Sequence, residues 1–99
     1  MKLVLLVYYV ALQNEMMELL AKLNLCTYTR VPEVQGRISC GDPREDSHVW
    51  PGVNSILLVP VDDDKVDALL RAVEGFNQGR VGEGADAYVL DIAKSVSAA

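Results

Sequence analysis

The sequence predicts one α+β domain in which two amphipathic helices cover one face of an antiparallel sheet. Two observations carry that expectation. The aliphatic runs Lys2–Tyr9 and Ser55–Val61 have the length and composition of buried strands. Each is followed by a segment with apolar residues at three- and four-residue spacing, and then by a second β-forming run, so the order is β-α-β-β-α-β.

Taken in chain order, Lys2–Tyr9 is the first strand, and Asn14 is a candidate cap for the helix after it. Met16, Met17, Leu19, Leu20 and Leu23 give that helix an apolar face ending near Asn24. The stretch 26–31, rich in β-formers, predicts the second strand, with Pro32 marking an edge or a bulge. Residues 37–54 hold two prolines and two glycines without periodicity, and a loop of that length inside a small domain is usually functional. Ser55–Val61 is the third strand. Asp62, Asp63 and Asp64 place acid at a helix N-terminus, and Val66, Leu69, Leu70, Val73 and Phe76 form the stripe of the second helix. Residues 87–92 are the last strand, and Lys94 to Ala99 reads as a frayed tail.

This order in a single domain over residues 1–99 predicts a ferredoxin-like βαββαβ sandwich, a four-stranded antiparallel sheet with two helices on one face. The other face is then a bare apolar surface, which predicts an oligomer that covers it.

Composition excludes several function classes. With 51% hydrophobic and 23% charged residues the chain is globular rather than disordered. A net charge of −5 with nine scattered Lys and Arg argues against nucleic acid and anionic membranes. The run Leu3–Leu12 is too short to span a bilayer and lacks a clean cleavage site, so a cytoplasmic protein without membrane insertion is expected. Cys26 and Cys40 make neither a disulfide framework nor a zinc pattern; Cys26 is expected in the core or a strand, Cys40 as an exposed loop thiol. Catalysis finds no constellation, because a nucleophilic triad would depend on His48, the single histidine, with no acid set to orient it.

The connection before the last strand, Gln78-Gly79-Arg80-Val81-Gly82-Glu83-Gly84, holds three glycines in six residues. Such a segment either caps a helix and turns, or cradles an anion on backbone N–H groups. In the second case Arg80 is the main cation, the N–H groups of Gly82, Glu83 and Gly84 are donors, and Arg37 is a second candidate cation. His48, with Asp42, Glu45, Asp46 and Cys40 near it in sequence, is a candidate ligand for a first-row divalent ion, or else an ordinary loop histidine. Trp50 is a candidate loop anchor or a stacking platform for a base.

Nearly end to end, the chain resembles the PII signal-transduction superfamily, and most of all its short PII-like members. The residues that carry the resemblance are the opening Leu3–Leu23, Glu33-Val34-Gln35-Gly36, Ile56-Leu57-Leu58-Val59-Pro60 and Asp64-Lys65-Val66-Asp67. To these are added the stretch His48-Val49-Trp50-Pro51-Gly52 and the closing Gly79–Gly84 with Tyr88-Val89-Leu90-Asp91-Ile92. The resemblance implies a homotrimer with no catalytic activity. It implies an anionic effector, most simply an adenine nucleotide such as ATP, ADP or AMP, held in clefts between subunits by Gly36, Arg37 and residues 78–84. It further implies that the loop 37–54, through residues such as Asp42, Glu45, Asp46, His48 and Trp50, engages a membrane transporter, an efflux pump or an enzyme. Ala85 and Asp86 stand where the family has a phosphate-binding lysine. Each charge-assisted hydrogen bond lost there costs roughly 1.5–3 kcal/mol, which leaves a nucleotide with fewer phosphates, a different small anion or a metal as the expected effector. The alternative is a CutA-like trimer that binds a divalent metal.

Overall fold

The structure is a computed structural model that describes residues 1–48, 52–80 and 83–98. It contains β1 (Lys2–Tyr9), α1 (Gln13–Lys22), β2 (Thr29–Val34), β3 (Asn54–Val61), α2 (Asp63–Asn77) and β4 (Ala85–Asp91). The four strands form one antiparallel sheet in the order β2-β3-β1-β4. This is the ferredoxin-like α+β sandwich that the sequence predicts.

The period-two register separates the two faces of the sheet. Val4, Leu6 and Tyr8 of β1 lie beside Val59, Leu57 and Ser55 of β3 and pack under the helices. Met16 and Leu20 of α1 and Leu69 and Val73 of α2 close that core. Leu3, Leu5 and Val7 lie on the other face with Pro60, Leu58 and Ile56, and with Leu90 and Tyr88 of β4. Tyr88 is 55% exposed and Leu90 46%, so the bare apolar face is present in the single chain.

Several element expectations are corrected. Asn14 does not cap α1. A 3₁₀ turn over Val10–Leu12 runs directly into the helix, the N-cap falls on Leu12, and the Gln13 amide donates to the Val10 carbonyl. The second strand is Thr29–Val34 rather than 26–31, because Asn24 takes a left-handed φ of 57° and the chain needs four more residues before it can pair. Cys26 consequently lies exposed in that turn, outside both core and strand. Pro32 does mark an irregularity: β2 spends one extra residue between Val31 and Val34, opposite Ile56 and Asn54. The Ser55 hydroxyl donates to the Pro32 carbonyl at 2.6 Å. The last strand begins two residues earlier than expected, at Ala85, for a reason that lies in the site itself.

Candidate functional site

The site is built where the long loop and the glycine-rich connection meet at one end of the sheet. Helix α2 ends on Asn77 and Gln78; Gly79 takes a φ of +76°, and the Arg80 amide donates to the Asn77 carbonyl at 2.9 Å. This is a glycine-terminated helix end of the ordinary kind. The Asn77 carboxamide then reaches to the start of β4. Its Nδ2 donates to the Ala85 carbonyl and its Oδ1 accepts from the Ala85 N–H, both at 2.8 Å. Because β4 is an edge strand, this side chain occupies the place of a neighbouring strand and starts β4 at Ala85. Gly84 is buried against it: a Cβ there would stand 2.2 Å from Asn77 Oδ1.

The loop is more ordered at its base than its sequence suggests. Gly36 and Arg44 exchange two backbone hydrogen bonds of 2.8 and 2.7 Å, and Ile38 is buried. Ser39 and Cys40 both take left-handed φ values, 46° and 57°, closed by a bond from the Gly41 amide to the Ile38 carbonyl. The Ser39 hydroxyl donates to Asp86 Oδ1 at 3.0 Å, clasping the loop to β4. Between Ile38–Ser39 on one side and Arg80, Gly84 and Asp86 on the other lies a recess of about 220 Å³.

The predicted residues divide accordingly. Arg80 borders the recess, but its Nε donates to the Phe76 carbonyl at 2.8 Å and its guanidinium stacks 4.3 Å from the Phe76 ring centre. It is thus tied to the end of α2 while remaining exposed. The Glu83 amide, expected to face an anion, donates instead to the Arg80 carbonyl at 3.0 Å. Gly36 sits at the loop base; Arg37 and Gln78 are exposed. Val81, Gly82 and Trp50 lie outside the described residues. Asp42, Glu45, Asp46 and His48 are exposed along the loop, as is the Cys40 thiol. Among the described residues no three His, Cys, Asp or Glu side chains come together, so the metal reading of His48 gains no support.

Sequence reasoning missed Asn77, Ser39 and Asp86, and also a buried arginine. Arg44 Nη1 donates to Asn54 Oδ1 at 3.0 Å, and its guanidinium lies 4.5 Å from the Tyr9 ring centre. A helix that ends on Asn just before a glycine run was the available signal for Asn77. For Arg44 the sequence offers none, because its partners lie on two different strands.

The ion pairs among the described residues lie at the opposite end of the molecule: the Met1 amine with Asp63 at 2.8 Å, and Lys2 with Asp91. Hydrogen bonds from these cations hold the carboxyls of Asp63 and Asp91 below their usual range, and the bond to Asp91 raises Lys2. Burial raises Tyr8, whose hydroxyl donates to Gln13 Oε1.

An antiparallel β2-β3-β1-β4 sheet under two helices defines the class first, an α+β sandwich in which the β2–β3 and α2–β4 connections meet at one end. Comparison with solved structures then narrows it. CPII, a nitrogen regulatory PII-like protein from Thiomonas intermedia K12 in complex with ADP, AMP and bicarbonate, matches with a TM-score of 0.75 at 20% identity. That match covers 92% of this chain and 84% of CPII. Its apo form matches at 0.66 and 19%, over 92% and 87% of the two chains. A Thermus thermophilus protein assigned as PII-like matches at 0.64 and 24%, over 89% and 82%. The chain therefore has the fold of the PII-like proteins, as its sequence resemblance implied. Family models and curated proteins yield no match. Among the described residues no helix is long and apolar enough to cross a membrane.

Proposed function

We propose that this protein is a PII-like regulator that binds an adenine nucleotide at the junction of the loop 37–54 and the connection 78–84. The observation that carries the reading is the clasp between the two segments. Ser39 and Asp86 hold them together beside a recess, in a fold shared with a protein whose solved complexes contain ADP and AMP.

The recess is smaller than the roughly 300–1,000 Å³ that ligand pockets usually enclose. In this reading a second subunit supplies the remaining wall. The bare sheet face with Tyr88 and Leu90 is the surface through which copies would assemble, as a homotrimer in our reading. Asp86 in the recess repels a highly charged polyphosphate, which favours AMP or ADP over ATP. The loop, projecting from the same junction, is the part offered to a partner protein, and no catalytic role is assigned.

Calorimetry against ATP, ADP, AMP and cyclic nucleotides tests the proposal, with and without bicarbonate. Binding of ADP or AMP is expected; no heat with any of these, in a preparation verified as a trimer, would discard the nucleotide reading. Arg80→Ala is expected to weaken binding roughly 10- to 100-fold, the equivalent of one charge-assisted hydrogen bond.

A further inference from the structure

Arg80 borders two cavities that share no other described residue. One is the recess beside Asp86. The other is a groove of about 350 Å³ between α1 and α2, with half-buried Leu19, Ala72 and Phe76 and exposed Glu15 and Glu18 among its walls. Phe76 lines the groove and not the recess. The Arg80 guanidinium, stacked on the Phe76 ring with Nε on the Phe76 carbonyl, therefore lies on the groove side and covers the ring.

The main chain of Arg80 is held at both of its polar groups. Its amide donates to the Asn77 carbonyl, and its carbonyl accepts from the Glu83 amide. The side chain is long and exposed, so it can change partner while the main chain stays in place. Two contacts keep it on Phe76: an exposed cation–π stack, and a bond to one of the carbonyls that the end of a helix leaves over. A phosphate offers the guanidinium a full negative charge and two acceptors side by side, which neither of those partners has.

We propose that Arg80 is a two-position switch: stacked on Phe76 in the free protein, it turns into the recess when a nucleotide phosphate arrives and so uncovers the Phe76 ring between the helices. The switch rests on the nucleotide reading and adds a route by which occupancy is reported at a second surface, away from the loop 37–54. Phe76 is a positioning residue that acts through Arg80, because its ring and the phosphate compete for one guanidinium. The departure of Arg80 bares apolar ring surface beside Leu19 and Ala72. It also takes a positive charge out of a groove that Glu15 and Glu18 share, leaving that groove more apolar and more acidic.

Calorimetry compares AMP binding to the assembled wild type and to Phe76→Leu. Removing the ring removes a competitor, so the variant is expected to bind AMP about two- to five-fold more tightly, the equivalent of one exposed cation–π stack. Damage to the fold would weaken binding instead. Nuclear magnetic resonance of the wild type gives a second readout, which stands by itself if the variant does not fold. The Arg80 side-chain signals, assigned with Arg80→Lys, are expected to lie upfield in the free protein because of the ring beneath them, and to lose that displacement at saturating AMP. Equal or weaker binding by a folded Phe76→Leu overturns the proposal, as do Arg80 signals that keep their upfield position with AMP bound. No heat from the wild type with AMP or ADP refutes the nucleotide reading and the switch with it, whereas heat with an unmoved Arg80 refutes the switch alone.

Discussion

Gly84→Ala isolates the device that starts the last strand. The added methyl would stand 2.2 Å from Asn77 Oδ1 and 2.8 Å from its Cγ, separations that no relaxed structure keeps. The conformation at Gly84 lies outside the left-handed region, so backbone strain plays no part and the whole effect passes through Asn77. Its carboxamide must swing away, breaking both bonds to Ala85. Two neutral hydrogen bonds at about 0.5–1.5 kcal/mol each, with a buried backbone left partly unpaired, give a loss of roughly 2 kcal/mol. For a domain of this size that lowers Tm by about 8–16 °C. The assay is urea denaturation of Gly84→Ala, Asn77→Ala and the double variant. With Asn77 truncated the methyl meets nothing closer than its Cβ at 3.4 Å, so the double variant is expected to be no less stable than Asn77→Ala alone. If the two losses simply add, the sites are independent and the reasoning fails.

The remaining expectations follow from charge and surface. Asp63 and Asp91 titrate below their unfolded values, so their contribution is complete above about pH 4 and is lost as pH falls through the folded values. Asp91→Asn should therefore lose less stability between pH 6 and pH 3 than the wild type, as read from urea midpoints; equal losses would remove the Lys2–Asp91 pair from the acid response. Tyr88→Glu places charge on the bare sheet face without touching the core and is expected to yield a lone subunit in sedimentation velocity. An unchanged assembly would mean that copies meet elsewhere.

The layered architecture was legible because it depends on local periodicity. β1 matches its sequence run, and α2 buries two of the residues its stripe predicted, Leu69 and Val73, because both elements sit in the middle of the core. β2 was misplaced because it is an edge strand whose start is set by the left-handed Asn24, which short-range propensity does not reveal. Asn14 failed as a cap because the preceding 3₁₀ turn runs straight into the helix, places the N-cap on Leu12 and takes up the Gln13 amide. The site was only half legible. Glycine spacing located the connection 78–84, but the residues that join it to the loop, Ser39 and Asp86, lie 47 positions apart and carry no pattern. Arg44 carried no signal in the sequence, because its partners Tyr9 and Asn54 lie on β1 and β3.

Ser39, Cys40 and Asp46 are all wound in the left-handed sense without being glycine, each at a cost on the order of 1 kcal/mol or more. The loop is in that respect a cocked spring, and the Ser39–Asp86 latch restrains it. An effector that attracted either latch residue to itself would not need to push the loop anywhere. Releasing the catch would free Ser39 from β4 and leave the loop base held by its own backbone bonds.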